Sequence, residues 1–327
     1  MPPETDPNPM LKTLASTSVV LSVGLLTLHL TTFSSSAQRP AQYRTEVDQV
    51  VLYATVYDQD SNLVSGLHQE DFTVYENRLE QEITYFGQDD VPSTVGVVID
   101  SSGSMRDKFD LVTDATHLFL SMNNPENELY FISFKGQVRL EEDFTRDVDD
   151  IYDALDNMIV SGGTALYDAV YLALDKASEG SELKKSVVVF TDGEDKDSYY
   201  SHEELLEKVE ESDVQLYIVA FLDKDLPTSG GFFGIFKSAR ERIQQAIRAI
   251  PENTGGEAFF PDRIEELSEI FRSIAYELRH QYRLAYISTN LVKDGSWRRT
   301  DIVIKDAKKR GFKIRAKKGY YAKKNTG

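Results

Sequence analysis

The chain has 327 residues, of which 41% are hydrophobic, 28% charged and 11% aromatic, and its formal net charge is −18. The apolar fraction is sufficient for a folded core and excludes a wholly disordered or low-complexity protein. The absence of cysteine excludes structural disulfides, thiol catalysis, Cys-ligated zinc and iron–sulfur clusters, and the acidic balance predicts no nucleic acid partner.

The N-terminal segment is typical of a secretory signal peptide. A basic start at residues 10–12 precedes an apolar run at residues 14–30, and small residues at 35–37 form a cleavage site. We predict a signal peptide over residues 1–37, with Met10 as an alternative start, and a periplasmic or secreted location for the remainder. An uncleaved membrane anchor is the disfavoured alternative, because the strongly apolar part is short for a span of about 20 residues.

Short strand-like runs separated by Asp, Asn and Gly turns occupy residues 44–90. About forty residues form only a thin core by themselves, so these strands need partners from elsewhere in the chain.

From residue 94 the pattern changes to apolar strands that alternate with amphipathic helices. Strands are predicted at 95–99, 128–134, 138–144, 186–190 and 214–222, and helices at 108–122, 148–158, 165–177, 202–211 and 263–279. This alternation predicts an α/β domain over residues 94–280, with a doubly wound, mostly parallel sheet and helices on both faces.

After the last predicted helix the chain returns to strand character. Because the termini of a domain often lie close together, we predict that residues 281–323 combine with residues 44–90 into one small β-sandwich. Residues 298–327 carry twelve Lys and Arg against two acids. Their alternation with apolar residues favours strands that dock onto the acidic body over a basic tail for RNA or anionic lipid.

Three polar segments of the α/β domain lie next to predicted strand ends or helix starts. Asp100, Ser102 and Ser104 follow the first strand, Thr164 precedes a helix, and Asp192 follows a later buried strand. Ligand sites of open parallel sheets form at the carboxyl ends of strands, so we expect these segments at one rim. Two carboxylates and three hydroxyls form an all-oxygen donor set, which favours Mg²⁺, with Mn²⁺ or Ca²⁺ as alternatives. We expect an open coordination position that accepts a carboxylate from another molecule.

Each segment alone has a simpler structural explanation. Ser104 and Thr164 are residue types that cap helices, and Asp192 precedes a glycine, as in a turn. The occurrence of all three segments in this order favours the metal site.

The run Asp100-Ser101-Ser102-Gly103-Ser104, with Thr164 and Thr191-Asp192-Gly193, resembles the metal-ion-dependent adhesion site of von Willebrand factor type A domains. The resemblance implies that the two serines bind the metal directly, and that the threonine and the two aspartates bind it directly or through water. The flanks resemble a bacterial type A-related family at Gly66-Leu67, Asp71-Phe72, Val74-Tyr75-Glu76 and Lys318-Gly319-Tyr320-Tyr321.

Together these features predict an exported, metal-dependent protein-binding module whose partner supplies an Asp or Glu carboxylate. The alternatives are a structural or assembly component of the cell envelope that acts through its sandwich and, less favoured, a metal-dependent hydrolase. Catalysis is not expected, because no histidine falls inside the motif and neither a phosphate loop with Lys nor His-Glu-x-x-His is present.

A Gly-rich stretch at residues 223–238 follows a predicted strand and contains large apolar residues. Such residues are costly to expose, so we interpret Phe232, Phe233 and Phe236 as a partner-binding lip beside the metal. Packing over the protein's own sheet and contact with a membrane surface are the alternatives.

Overall fold

The computed structural model describes residues 48–222 and 238–324. The predicted signal peptide, and Phe232, Phe233 and Phe236 of the predicted lip, lie outside these described residues. The unit from Val47 to Gly327 is compact. Within the described ranges, no helix is both long and apolar enough to span a membrane.

Four strands precede the α/β part of the chain. They are β1 (Gln49–Tyr57), β2 (Phe72–Glu76), β3 (Leu79–Gln81) and β4 (Ile83–Gly87).

The α/β part alternates strands and helices as the sequence predicts. In chain order its elements are β5 (Ser93–Asp100), α1 (Phe109–Ser121), β6 (Glu128–Phe134), β7 (Val138–Thr145), α2 (Val148–Asp156), α3 (Leu166–Glu179), β8 (Lys184–Thr191), α4 (His202–Glu211), β9 (Gln215–Ala220), α5 (Ala239–Ala249), β10 (Glu257–Phe259) and α6 (Leu267–Arg279).

The C-terminal segment adds four strands and one short helix. These are β11 (Tyr282–Ile287), β12 (Trp297–Ile304), α7 (Ala307–Arg310), β13 (Lys313–Ala316) and β14 (Gly319–Tyr321).

A six-stranded sheet in the order β10-β9-β8-β5-β6-β7 forms the centre of the α/β part, and only β7 runs antiparallel to its neighbour. Every residue of β5 is buried, because helices cover both faces of the sheet. Val95, Val97 and Ile99 pack with residues of α1, α2 and α6, whereas Val98 packs with residues of α3 and α4. The predicted fold class is therefore confirmed.

Two further antiparallel sheets, β13-β1-β11-β4 and β14-β12-β2-β3, each combine strands from both ends of the chain. They share one apolar core, in which Leu52 and Leu284 of the first sheet face Val74 and Ile302 of the second. The strands before and after the α/β part thus complete a sandwich that neither segment forms alone. Basic side chains of the C-terminal segment reach the acidic body, as in the pairs Lys317–Asp213 (2.6 Å) and Lys318–Glu252 (3.4 Å) of the connection from β13 to β14.

Several elements differ from the sequence predictions. Helix α5 was not predicted, although Ser238 and Glu241 form a reciprocal capping box at its start. The strands β3, β10 and β14 were also not predicted, and each has only three residues, too few for a readable alternation. The last predicted helix begins at Leu267, after a 3₁₀ turn at Ile264–Glu266.

The sandwich adjoins the ends of the central strands that lie away from the predicted rim. Lys184, at the start of β8, lies with its ammonium 5.2 Å from the ring centre of Tyr53 on β1. Glu277 of α6 accepts a hydrogen bond from Thr55 of β1 at 2.8 Å. The carboxyl end of β8, where the polar segments are predicted to meet, is therefore the end that lies away from the sandwich.

Candidate metal centre

The two aspartates of the motif follow neighbouring parallel strands. Asp100 ends β5, Asp192 comes directly after β8, and the register pairs Ile99 with Phe190. Strand β5 lies between β8 and β6, so the chain order reverses here and a crevice opens at the carboxyl ends of the strands. The sequence prediction that the segments meet at this rim agrees with the topology.

The loop after β5 is organised around the Asp100 carboxylate. Its Oδ1 accepts a hydrogen bond from the backbone N–H of Ser102, and its Oδ2 accepts one from the Thr191 hydroxyl, both at 2.9 Å. The hydroxyl oxygens of Ser102 and Ser104 lie 3.1 Å apart, so Gly103 between them does allow both to face one point. Ser102 is fully buried, whereas Ser104 is exposed, so the hydroxyl pair extends from the interior to the surface.

The loop that carries Thr164 is fastened to the loop after β5 by main-chain hydrogen bonds. Ser161 N–H donates to Ser101 O at 2.8 Å, and Gly103 N–H donates to Gly162 O at 3.0 Å. Gly162 has a φ of 85°, a left-handed conformation that favours glycine. Thr164 itself is buried, and its neighbours hold it at the rim beside the Asp100 loop.

The acidic run after Asp192 stabilises the same loop. Asp197 accepts a hydrogen bond from Thr164 N–H at 2.8 Å, and Asp195 accepts one from Tyr167 N–H at 3.2 Å. Helix α3 begins after Ala165, which has no capping side chain, so its first amides need acceptors from another segment. Asp195 therefore supplies an acceptor to the first turn of α3, and Asp197 fixes the backbone just before it.

Thr191 and Asp197 are functional candidates that the sequence prediction left out of the donor set. Thr191 fixes one oxygen of Asp100, and its hydroxyl also accepts the N–H of Gly193 at 3.0 Å. The only sequence signal for Thr191 was its place before Asp192. For Asp197 the sequence signal was Ala165, whose side chain cannot cap α3, so that the start of the helix needs acceptors from another segment.

Electrostatics at the rim favour a bound cation. Asp100 is 0% exposed and Asp192 is 5% exposed. Burial, with a smaller contribution from the Asp192 carboxylate, raises the pKa of Asp100 to about 6, against hydrogen bonds from Ser102 and Thr191 that lower it. Among residues 48–222 and 238–324, no Lys, Arg or His forms an ion pair with either aspartate. Neither acid therefore has an ion-pair partner within the described chain, although the pKa of Lys196, an exposed residue that pairs with Glu194, is raised by Glu194 and to a smaller extent by the Asp192 carboxylate.

The chemistry of the donor set fits a hard divalent cation. Asp100 and Asp192 supply the charge, and the hydroxyl oxygens of Ser102, Ser104 and Thr164 are neutral donors. Within the described part of the chain, no group of three or more His, Cys, Asp or Glu side chains could hold a metal. A cation at this rim would therefore depend on the hydroxyls as well as on the carboxylates.

Part of the chain matches the model of a known protein family. Residues 95–194 match the family model described as von Willebrand factor type A domain. The chain contains a von Willebrand factor type A domain. The match runs from β5 to just beyond Asp192, so the type A segment includes all three polar loops of the rim.

Solved structures resemble the chain at low identity. One is an aerotolerance-related membrane protein from Bacteroides fragilis, with 17% identity, coverage of 57% of this chain and 98% of that chain, and a TM-score of 0.45. Another is a von Willebrand factor type A protein from Catenulispora acidiphila, with 13% identity, coverage of 86% and 74%, and a TM-score of 0.46. A third is proximal thread matrix protein 1 from the mussel byssus with a zinc-occupied MIDAS motif, with 16% identity, coverage of 62% and 50%, and a TM-score of 0.47. Likeness at this level carries no argument about the metal or partner of this chain, and curated protein sequences give no match.

Proposed function

We propose that this chain is a metal-dependent protein-binding module. The observation that carries the proposal is the buried pair Asp100 and Asp192, neither of which forms an ion pair with a cationic side chain of the described residues. Two buried carboxylates side by side are unfavourable unless a positive charge joins them. A divalent ion held by these aspartates with Ser102, Ser104 and Thr164 supplies that charge.

The proposed ion is Mg²⁺, with Mn²⁺ and Ca²⁺ as alternatives, because every donor is a hard oxygen. Hydroxyl oxygens are weak donors and leave the ion electrophilic. Since Ser104 is exposed at the rim, a partner has access to the ion from solvent. We propose that the partner is a protein whose Asp or Glu carboxylate completes the coordination, with the segment around Phe232, Phe233 and Phe236 as an adjoining lip.

Recognition is favoured over catalysis by the positions of the histidines. His202 contacts the carbonyl of Ala246 at 3.0 Å, and His280 contacts that of Tyr276 at 2.7 Å. The ring of His117 packs against that of Tyr152 at 4.3 Å, with an angle of 51° between their planes. None of these rings lies in the three polar loops, so the rim offers no imidazole as a general base. We propose that the protein is not an enzyme, and that it is exported to the periplasm or secreted.

Metal binding is tested first, on the full chain, by thermal unfolding with Mg²⁺, Mn²⁺, Ca²⁺ or chelator. A cation at one hundred times its dissociation constant stabilises a protein by about 2.7 kcal/mol. Wild type is expected to gain stability and Asp100→Ala is expected not to. Asp107→Ala is the matched control, because Asp107 is an exposed aspartate close to the motif. Equal stabilisation of wild type and Asp100→Ala would refute a metal site at Asp100.

Partner binding is tested by affinity capture from the extracytoplasmic fraction of the source cells. The bait is the full chain in Mg²⁺, the full chain in chelator, and Asp100→Ala in Mg²⁺. A protein retained only by wild type in Mg²⁺ supports recognition through the ion. Equal retention in all three conditions would place recognition on the sandwich, which is the envelope-assembly alternative, or on the lip.

A further inference from the structure

An open groove lies where the sandwich meets the end of α4. Its volume is about 380 Å³, which falls within the range of about 300–1,000 Å³ that is typical of ligand sites. The groove is lined by one aromatic and four polar side chains, namely Trp297, Glu210, Asn253, Arg299 and Lys318. We call it the Trp297 groove. The proposed metal site uses none of these residues.

The indole of Trp297 is held in place by the neighbouring strand β14. Its ring packs edge-on against that of Tyr321, with 5.0 Å between the ring centres. A Cβ atom at Gly319 would lie 2.3 Å from Cζ2 of Trp297, so only a glycine there lets the indole approach the backbone this closely. Trp297 is half-buried, and the surface that β14 leaves uncovered forms the apolar part of the groove.

The α/β part supplies a polar wall beside the indole. The backbone N–H of Lys318 donates to the carbonyl of Asn253 at 3.2 Å, and Nδ2 of Asn253 donates to Oε1 of Glu210 at 3.4 Å. Among residues 48–222 and 238–324, this last bond is the only one that the Asn253 and Glu210 side chains make. An amide and a carboxylate have several further donor and acceptor positions, and these are open to a ligand.

The charges of the groove disfavour an ionic ligand. Two N–H groups of Arg299 donate to the carboxylate of Asp301, both at 3.0 Å, and the ammonium of Lys318 lies 3.4 Å from the carboxylate of Glu252. Both basic side chains thus have acidic partners, and Glu210 adds a further negative charge, so a phosphate or carboxylate ligand meets no excess of positive charge. A quaternary ammonium is recognised by a cage of several aromatic rings, whereas the groove lining has one.

A sugar ring matches this combination of one aromatic surface and several polar groups. A pyranose has an apolar face of C–H groups, which packs against the electron-rich face of an indole. Its hydroxyls both donate and accept hydrogen bonds, as amide and carboxylate partners require. A proline-rich peptide also packs against tryptophan, but the grooves that bind such peptides are lined by aromatic side chains along their length.

We infer that the Trp297 groove binds a neutral oligosaccharide. One pyranose ring packs on the indole, and its hydroxyls form hydrogen bonds with Asn253 and Glu210. The inference goes beyond the proposed function and does not depend on it. Glu210 lies in the last turn of α4, just before β9, and Asn253 precedes β10, so the groove is next to the amino ends of these strands, whereas the metal rim is at the carboxyl ends.

Intrinsic fluorescence tests the inference directly, because Trp297 is the only tryptophan of the chain. The full chain is titrated with maltotetraose, cellotetraose and chitotetraose, each in Mg²⁺ and in chelator. A saturable blue shift of the emission with at least one of the three is the expected result. The midpoint of that titration is expected to be the same in Mg²⁺ and in chelator, which separates this site from the proposed metal site.

Two variants of the polar wall keep the tryptophan as the reporter. Asn253→Ala and Glu210→Ala are each expected to bind the saccharide about fivefold more weakly than wild type, which corresponds to the loss of one hydrogen bond. Glu203→Ala is the matched control, because Glu203 is an exposed glutamate in the first turn of the same helix and does not line the groove. Its affinity is expected to equal that of wild type.

Three outcomes would overturn the inference. No change of emission with any of the three saccharides would mean that the groove does not bind a sugar. Equal affinity of wild type, Asn253→Ala and Glu210→Ala would mean that the polar wall takes no part. A blue shift with decaproline, and with none of the saccharides, would assign the groove to a proline-rich peptide instead.

Discussion

A buried carboxylate, Glu277, lies at the contact between the α/β part and the sandwich. The side chain of Glu277 on α6 is 1% exposed. It accepts hydrogen bonds from the hydroxyls of Thr55, Tyr57 and Tyr217, each at 2.8 Å, and it pairs with Arg315. Thr55 and Tyr57 belong to β1 and Arg315 to β13, so three of the four partners come from the sandwich. Replacement of Glu277 is therefore expected to weaken both the fold and the connection.

The magnitude follows from what each variant leaves unpaired. Glu277→Ala leaves Arg315 with only the exposed Glu257 as an ionic partner and removes the acceptor of three hydroxyls. Removing one member of a buried ion pair costs about 3–5 kcal/mol, and the hydrogen bonds of the same group do not add independently. We expect a loss of about 4 kcal/mol for Glu277→Ala. Glu277→Gln keeps one acceptor oxygen, and hydroxyls that face its NH₂ group can accept, so about 2 kcal/mol is expected.

Two probes of urea unfolding on the full chain measure this effect. Trp297 is the only tryptophan and lies at the start of β12 in the sandwich, whereas most helices that circular dichroism detects belong to the α/β part. Wild type is expected to unfold with coincident transitions, and Glu277→Ala with lower and separated midpoints. The control is Glu269→Ala, an exposed glutamate on the same helix, which is expected to change stability by less than about 0.5 kcal/mol. A loss below about 1 kcal/mol with coincident transitions would refute the reasoning.

Three further predictions concern charges on the central strands and at the rim. Asp100→Asn is expected to abolish stabilisation by Mg²⁺ without destabilising the metal-free protein, because it removes one of two buried like charges. Thermal unfolding with and without chelator measures both effects. A metal-free variant less stable than metal-free wild type would contradict this prediction. Asp197→Ala is expected to weaken Mg²⁺ binding about tenfold in calorimetric titration, because Thr164 loses the acceptor of its N–H. Burial lowers the pKa of Lys184 from 10.5 to about 8, so the unfolded chain binds more protons between these values and stability should rise with pH across that window. Lys184→Met should flatten this rise in urea midpoints measured across the same pH range, and an unchanged slope would count against it.

Much of the α/β fold follows from patterns that are local in the sequence. The run Val95–Ile99 is apolar at every position but one, and burial on both faces of the sheet is its structural counterpart. The elements that were missed lack such a pattern. Strands β3, β10 and β14 owe their conformation to pairing with a neighbour in space, and a three-residue strand shows no periodicity by itself.

The candidate site likewise has a part that the sequence predicts and a part that only the fold brings together. Asp100, Ser102 and Ser104 were readable because they lie within five residues, directly after an apolar strand. The hydrogen bond from Thr164 N–H to Asp197 could not be predicted in this way, because it joins positions 33 residues apart just before the start of α3. Glu277 and Thr55 are 222 residues apart, and only the completed sandwich brings them together. Sequence therefore indicates donor types at strand ends, whereas the groups that position those donors depend on the assembled fold.

The spacing of the metal rim and the sandwich leads to a final prediction. Strand β8 has Lys184 next to the sandwich at one end and Asp192 directly after the other, and its eight residues span about 25 Å. At such separation, without shared partners, effects of substitutions usually add. Asp100→Asn is therefore expected to leave the cost of Glu277→Gln in the free energy of unfolding unchanged in the absence of metal. Urea unfolding of the single variants and of their combination measures the coupling. Departure from additivity by more than about 0.5 kcal/mol would mean that the rim and the sandwich contact communicate.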